Sequence, residues 1–365
     1  MNTVPVFVGL DYHQSSVQVC VMDAAGGVRM NRSCSNHWQV IRDAVASVGR
    51  PVRVAIEACT GASDLAQELV DQACWSVDLA HAAYVARMKR QPDKTDYSDA
   101  RMLADLTRVG YLPRVWLAPL YIRDLRRLVS LRNSMVTQRK NLKLRVSGLL
   151  RDYRVVSPLN RWTRPWLAWV KNPATLPAVG RLIALELLDQ LTEIQKRIGR
   201  VEDQMELFTQ DDVIVAFLKT YSCIGNVTAW VLRAAIGQVD RFKNGKQLAH
   251  YCGLSPANAS SGKRVADAGL VDTGNPLLRV TLIELAHRLA RRQERWRHMA
   301  QHLKAKSRPY GVIVAAIANR FIRAAFHSWK EVESMENKKP NDRSLESDGE
   351  KNVMDTKTGE VLSLR

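Results

Sequence analysis

Apolar and polar positions along the first hundred residues follow two periods in turn, and the switching lays out a domain. Residues 4–11 and 16–22 alternate apolar and polar, the period of half-buried strands. The Ala24-Ala25-Gly26-Gly27 turn predicts a hairpin into a third strand over 28–34. Residues 37–48 change to helical spacing. The nearly continuous apolar run 52–57 predicts a strand covered on both faces. A helix opens near Thr60-Gly61-Ala62-Ser63-Asp64 and runs to about residue 74, and a fifth strand covers 76–80. Residues 97–109 place Leu103, Leu106 and Val109 on one helical side. Three strands joined by hairpins, then alternating helices and strands, predict an α/β domain of ribonuclease-H-like order.

Pro113 and Pro119 bracket a linker, and beyond it the pattern is all-α. Leu125, Leu128, Leu131, Met135, Leu142 and Leu149 predict a long amphipathic helix over about 121–154. Leu182, Leu185, Leu188, Leu191, Ile194, Ile198 and Val201 predict a second over about 179–207. The pair suits an antiparallel coiled coil or a contact between two copies, and periodicity does not choose. Trp162, Trp166 and Trp169 share one helical face and are assigned to packing at the tip of that hairpin rather than to base stacking. The division is a first domain over 1–115, a helical region over 116–207, a helical third domain over 208–330, and a polar tail over 331–365 expected to be disordered.

Charge sharpens this division. The net charge is +18 over 365 residues. The first domain is balanced, with 12 basic and 12 acidic side chains, whereas 116–205 carries 17 against 7 and 206–330 carries 19 against 8. A concentrated positive field attracts polyphosphate backbones, rather than merely keeping a surface soluble or meeting an anionic membrane. Along the first long helix the candidate contacts are Arg123, Arg126, Arg127, Arg139, Lys140, Lys143 and Arg145. No apolar run is long enough to span a bilayer and no export signal opens the chain, so membranes are not expected. The six cysteines form no CxxC pair, which fits reduced thiols in the cytoplasm.

The acids of the first domain are placed unlike the rest. Asp11 and Glu57 each end an apolar strand, and Asp96 and Asp99 lie three apart on one helix face. Four acids converging on one point repel one another, and a divalent cation relieves that repulsion. Hard oxygen ligands suit Mg²⁺, with Mn²⁺ as an alternate. Acids such as Asp64, Glu68 and Asp71 read as solvated helix surface.

In the third domain, Cys223-Ile224-Gly225-Asn226-Val227-Thr228-Ala229 is read either as a helix-hairpin-helix turn offering amides to a phosphate or as a plain capping turn. Gly253-Leu254-Ser255-Pro256 is followed by Ser260-Ser261-Gly262-Lys263-Arg264 and by Gly274-Asn275-Pro276-Leu277-Leu278-Arg279. A Ser-Gly pair is ordinarily a turn. Flanked by Lys263 and Arg264, this serine also has what a phosphodiester nucleophile needs. His298 and His302 share a helix face without the glutamate of an HExxH motif and are assigned a structural role.

These motifs in order resemble the insertion-sequence-110 family of transposases, relatives of the Piv invertase, over about residues 5–300. The resemblance implies a RuvC-like domain, a coiled-coil region and a C-terminal transposase domain. It implies that Asp11, Glu57, Asp96 and Asp99 bind Mg²⁺ and that Ser261, with Ser260 beside it, forms a 5′-phosphoserine link to DNA. Lys263, Arg264 and Arg279 would then contact nucleic acid. It further implies donor and target double-stranded DNA, a guiding bridge RNA, sites composed between subunits of a dimer or tetramer, and a bacterial, nucleoid-associated setting. One departure stands out: Val271-Asp272-Thr273 precedes the Gly-Asn pair where members carry a basic residue. The rivals are a metal nuclease or junction resolvase that uses water, and a non-catalytic nucleic-acid-binding protein. The absence of a GxxxxGK[ST] loop fits a reaction that needs no nucleotide.

Overall fold

The computed structural model describes residues 4–88, 95–258, 267–271 and 274–338, with two short strand pieces at 353–354 and 361–362. The chain divides into two compact units, Met1–Leu120 and Tyr121–Arg365.

The first unit is built on a six-stranded mixed sheet. Its elements run β1 (Pro5–Tyr12), β2 (Ser16–Asp23), β3 (Val28–Ser35), α1 (Trp38–Ala46), β4 (Arg50–Glu57), α2 (Ala62–Asp71), β5 (Val77–Ala80), α3 (Ala82–Met88), α4 (Asp96–Arg108) and β6 (Arg114–Val115). The strand order is β3-β2-β1-β4-β5-β6. Hairpins make β1–β3 antiparallel, while the crossovers through α1 and α2 make β4 and β5 parallel to β1. Val8, Leu10, Val54 and Ile56 are wholly buried in the two central strands. Each such side chain contributes about 1.5–3 kcal/mol on leaving water.

One glycine sets how α4 lies on the sheet. A Cβ at Gly9 would stand 2.4 Å from the Ala104 amide nitrogen and 3.0 Å from the Leu103 Cβ, so α4 rests its backbone directly on β1. Thr95 caps that helix: its side chain accepts from the Ser98 amide, and Ser98 reciprocates at the Thr95 amide. The cap places Asp96 and Asp99 in the first turn, where the free amides of a helix start favour negative charge.

The second unit is helical apart from one small hairpin and the paired strand pieces at 353–354 and 361–362. Its elements are α5 (Leu120–Asp152), α6 (Arg164–Lys171), α7 (Ala178–Phe208), α8 (Val213–Lys219), α9 (Asn226–Ile236), α10 (Gly245–Tyr251), β7 (Pro256–Asn258), β8 (Asp267–Leu270), α11 (Pro276–Arg292), α12 (Glu294–Ala305) and α13 (Tyr310–Lys338). Helices α5 and α7 run antiparallel within one chain: Arg132 pairs with Glu202 at 2.7 Å and Arg139 donates to Gln195 at 2.6 Å. Further along, Val146 and Leu150 of α5 pack with Ala184, Leu187 and Leu188 of α7. Trp166 is fully buried in that cluster, with Trp162 and Trp169 against it. The larger core gathers α8–α13 around Trp230, Phe321 and Trp329. The antiparallel β7–β8 pair corrects the expectation of a wholly helical third domain. Its strands are too short to register as a period. Among the described residues no helix is long and apolar enough to cross a membrane.

Candidate functional site

The parallel register Leu10↔Ile56 brings Asp11 and Glu57, each one residue further on, to the same end of adjacent strands. Asp11 follows Gly9 by two and so shares the sheet face that α4 crosses. Asp99 immediately precedes Ala100, the α4 residue over Gly9, and is buried. Asp96, one turn nearer the start of the helix, is exposed. Desolvation raises the Asp11 carboxyl above its ordinary range; His13 opposes that, and the negative fields of Asp96, Asp99 and Glu57 add to it. Asp11 therefore feels the charge of the other three acids, while among the described residues the ligand atoms that group within 4.8 Å are those of Asp11, His13 and Asp96, not Glu57 or Asp99.

Such a donor set, hard carboxylate oxygens that disfavour one another's charge, fits a divalent cation. A fifth group joins them. His13, half exposed, sets its Nε2 3.5 Å from Asp11 Oδ2 and 3.2 Å from Asp96 Oδ2. Sequence reading passed over this residue. Its signal was the two-residue step from Asp11, continued past the end of the strand.

The serine segment falls differently. Ser260, Ser261, Lys263 and Arg264 lie outside the described residues. What brackets them is described. Arg279 donates through Nη2 to the Val271 carbonyl and fills the space where a Cβ at Gly253 would stand, a residue whose φ of +70° also favours glycine. The Val271 amide donates to Ser255 at 3.0 Å. Arg279 thus braces the approach to β7 against the exit from β8.

The basic side chains of α5 separate into two groups. Arg123 is buried. Arg126 donates to the carbonyls of Ala234 at 2.7 Å and Ala235 at 3.4 Å, closing the last turn of α9, and burial lowers its pKa. Lys143 lies over the Trp162 ring at 4.9 Å, and Arg139 bonds Gln195. Arg127, Lys140 and Arg145 are exposed, and Arg127 pairs with Asp124 at 2.6 Å. The charge count did not distinguish these environments.

At the start of α9, Gly225 carries no capping side chain, and left-handed backbone falls on Cys223, at φ 83°, instead. An open recess of about 560 Å³ there is lined by residues 223–228 together with Arg288 and Arg292. Arg288 donates to Thr228 Oγ1 at 3.1 Å. These two arginines, one turn apart on α11, were not singled out from sequence.

The chain is similar in sequence to known transposases in both units. Residues 8–155 match the DEDD transposase domain of the insertion-sequence-110 type, and residues 215–301 match the Transposase IS116/IS110/IS902 family. A "Probable family 20 transposase" of Pseudomonas aeruginosa is 27% identical over 75% of this chain and 82% of its own length. The transposase for insertion sequence element IS1111A of Coxiella burnetii is 24% identical over 78% of this chain and 77% of its own. That of element IS1328 of Yersinia enterocolitica is 21% identical over 87% and 95%. An acid-tipped mixed sheet followed by a basic helical unit is thus the framework of a transposase. The chain belongs to the IS116/IS110/IS902 family and is a DNA transposase.

Proposed function

We propose that this transposase cuts and reseals DNA through a covalent serine ester, with Ser261 as nucleophile and Asp11, Glu57, Asp96 and Asp99 holding Mg²⁺ or Mn²⁺. The observation that carries the proposal is the crossing of α4 over Gly9, which gathers acids from three elements around Asp11. The strand order, three antiparallel strands and then two parallel ones, supports the RuvC-like reading of this unit. When bound, the cation supplies positive charge to a phosphate oxygen as negative charge develops there. Asp11 and Glu57 would fix the cage from the strand ends, and the first turn of α4 would add Asp96 and Asp99.

Ser261 Oγ attacks phosphorus and loses its proton. An O–P bond forms, the P–O3′ bond breaks, and the departing 3′ oxygen takes up a proton. Lys263 and Arg264 neutralise charge on the phosphate during this exchange. The serine ester conserves the energy of the broken bond, so the reverse attack by a 3′-hydroxyl reseals DNA without a nucleotide. Exposed Lys140 and Arg145 hold nucleic acid by phosphate contacts, which position it without reading its sequence. Sequence choice falls to a bridge RNA that pairs with donor and target, and the active assembly is a dimer or tetramer. The resemblance in sequence supports these last two statements.

The test is mass spectrometry of protein trapped on nicked DNA. A nucleotide on Ser261, lost together with strand cleavage in Ser261→Ala, is the expected result. Cleavage that survives in Ser261→Ala would instead establish hydrolysis by water.

A further inference from the structure

The ring of His13 is placed more deliberately than a turn residue needs. Its main chain is pinned on both sides: the His13 amide donates to the Ser16 carbonyl at 2.9 Å. The Asn36 side-chain amide donates to the carbonyls of His13 at 3.0 Å and Gln14 at 3.1 Å. His13 follows Asp11 by two, just past the end of β1, and its ring turns back to the Asp11 carboxylate. One ligand atom from each of Asp11, His13 and Asp96 lies within 4.8 Å of the other two.

These spacings suit a shared ion. An octahedral shell with bonds of about 2.1 Å sets adjacent donors about 3 Å apart and opposite donors about 4.2 Å apart. The imidazole nitrogen stands 3.2 and 3.5 Å from its two carboxylate oxygens, close to adjacent positions of such a shell. A plain ion pair is the other account of the contact. With His13 and Asp96 both about half exposed, such a pair would be weak and would not call for a pinned turn.

Resting on the acid cage described under the proposed function, we propose that His13 is a nitrogen ligand of that cage and biases it toward Mn²⁺ over Mg²⁺. The reason lies in donor chemistry. Mg²⁺ is small and hard, keeps its waters, and gains little from imidazole; first-row transition ions accept imidazole and carboxylate together. A cage of carboxylates alone would hold both ions by charge. Adding one nitrogen separates them.

The experiment uses the full-length chain stripped of metal and loaded with Mn²⁺. Pulsed electron paramagnetic resonance then asks for ¹⁴N modulation from a directly bound imidazole. Calorimetric titrations of Mn²⁺ and of Mg²⁺ are run on the wild type, His13→Ala, His13→Gln and Asp11→Asn, with melting curves confirming that each variant is folded. The expected result is ¹⁴N modulation in the wild type and none in either His13 variant. Mn²⁺ affinity should fall by about tenfold or more in His13→Ala while Mg²⁺ affinity falls less. Mn²⁺ bound without ¹⁴N modulation, or modulation that persists in His13→Ala, would overturn the assignment while leaving the acid cage intact. Mn²⁺ binding undiminished in Asp11→Asn would remove the cage itself and the assignment with it.

Discussion

The space above Gly9 is filled by the main chain of Ala100: a Cβ at Gly9 would lie 2.1 Å from the Ala100 carbonyl oxygen. Gly9→Ala therefore forces backbone, not a movable side chain, to give way. We expect a loss of about 1–3 kcal/mol of stability. Mn²⁺ affinity should fall as well, since α4 carries Asp96 and Asp99. Thermal denaturation and metal titration of this one variant check both. Unchanged metal affinity in a destabilised variant would show that the acids do not depend on where α4 rests.

The basic face of α5 should divide into structural and nucleic-acid-binding positions. Arg126→Ala leaves the Ala234 and Ala235 carbonyls without their cationic partner and is expected to cost about 1.5–3 kcal/mol of stability. Exposed Lys140→Ala should leave the melting temperature unchanged. It should instead lower the slope of log affinity against log salt for DNA by about one. Denaturation and salt-dependent binding, measured on both variants, separate the two roles.

Glu333 supplies a pH dependence with a definite sign. Desolvation raises its carboxyl, partly offset by hydrogen bonds from the Val239 amide and the Trp329 indole and by Arg233. The folded state therefore holds its proton to higher pH than the unfolded chain. Its contribution to stability is full below the unfolded pKa and is lost as pH rises through the folded value. Glu333→Gln should remove that component. The stability of the wild type relative to Glu333→Gln should thus fall as pH rises above about 4.5, as followed by denaturant titration at a series of pH values.

Thiol labelling should rank the cysteines by burial. Cys20 is pushed up to about 11 and Cys252 to about 12, chiefly by desolvation, and both are buried. Cys59 and Cys74 are exposed. Native protein should label at Cys59 and Cys74 first, with Cys20 and Cys252 reacting only after unfolding. Early labelling of Cys252 would mean that the core of the second unit opens readily.

Much of this was legible before any coordinates, for definite reasons. Strands β1–β5 announce themselves by alternation or by continuous burial, and α5 and α7 by runs of leucine. Helix α3 and strand β6 escaped because seven residues and two residues hold too little of any period. The hairpin of β7 and β8 escaped for the same reason. Asp11 and Glu57 were visible because buried strands end on them. His13 was not, because a lone histidine beyond a strand looks like any turn residue. Arg126 was read as a nucleic-acid contact; only folding reveals that it reaches carbonyls more than a hundred residues away.

The pairing of Leu10 with Ile56 has a consequence for how such a gene can be silenced. Neighbouring strands count residues like the teeth of two meshed racks. Dropping one residue from β1 would turn Asp11 to the opposite side of the sheet while every other acid kept its place. A copy of the element could thus be inactivated with all its carboxylates still encoded, and a search for their codons alone would score it as intact.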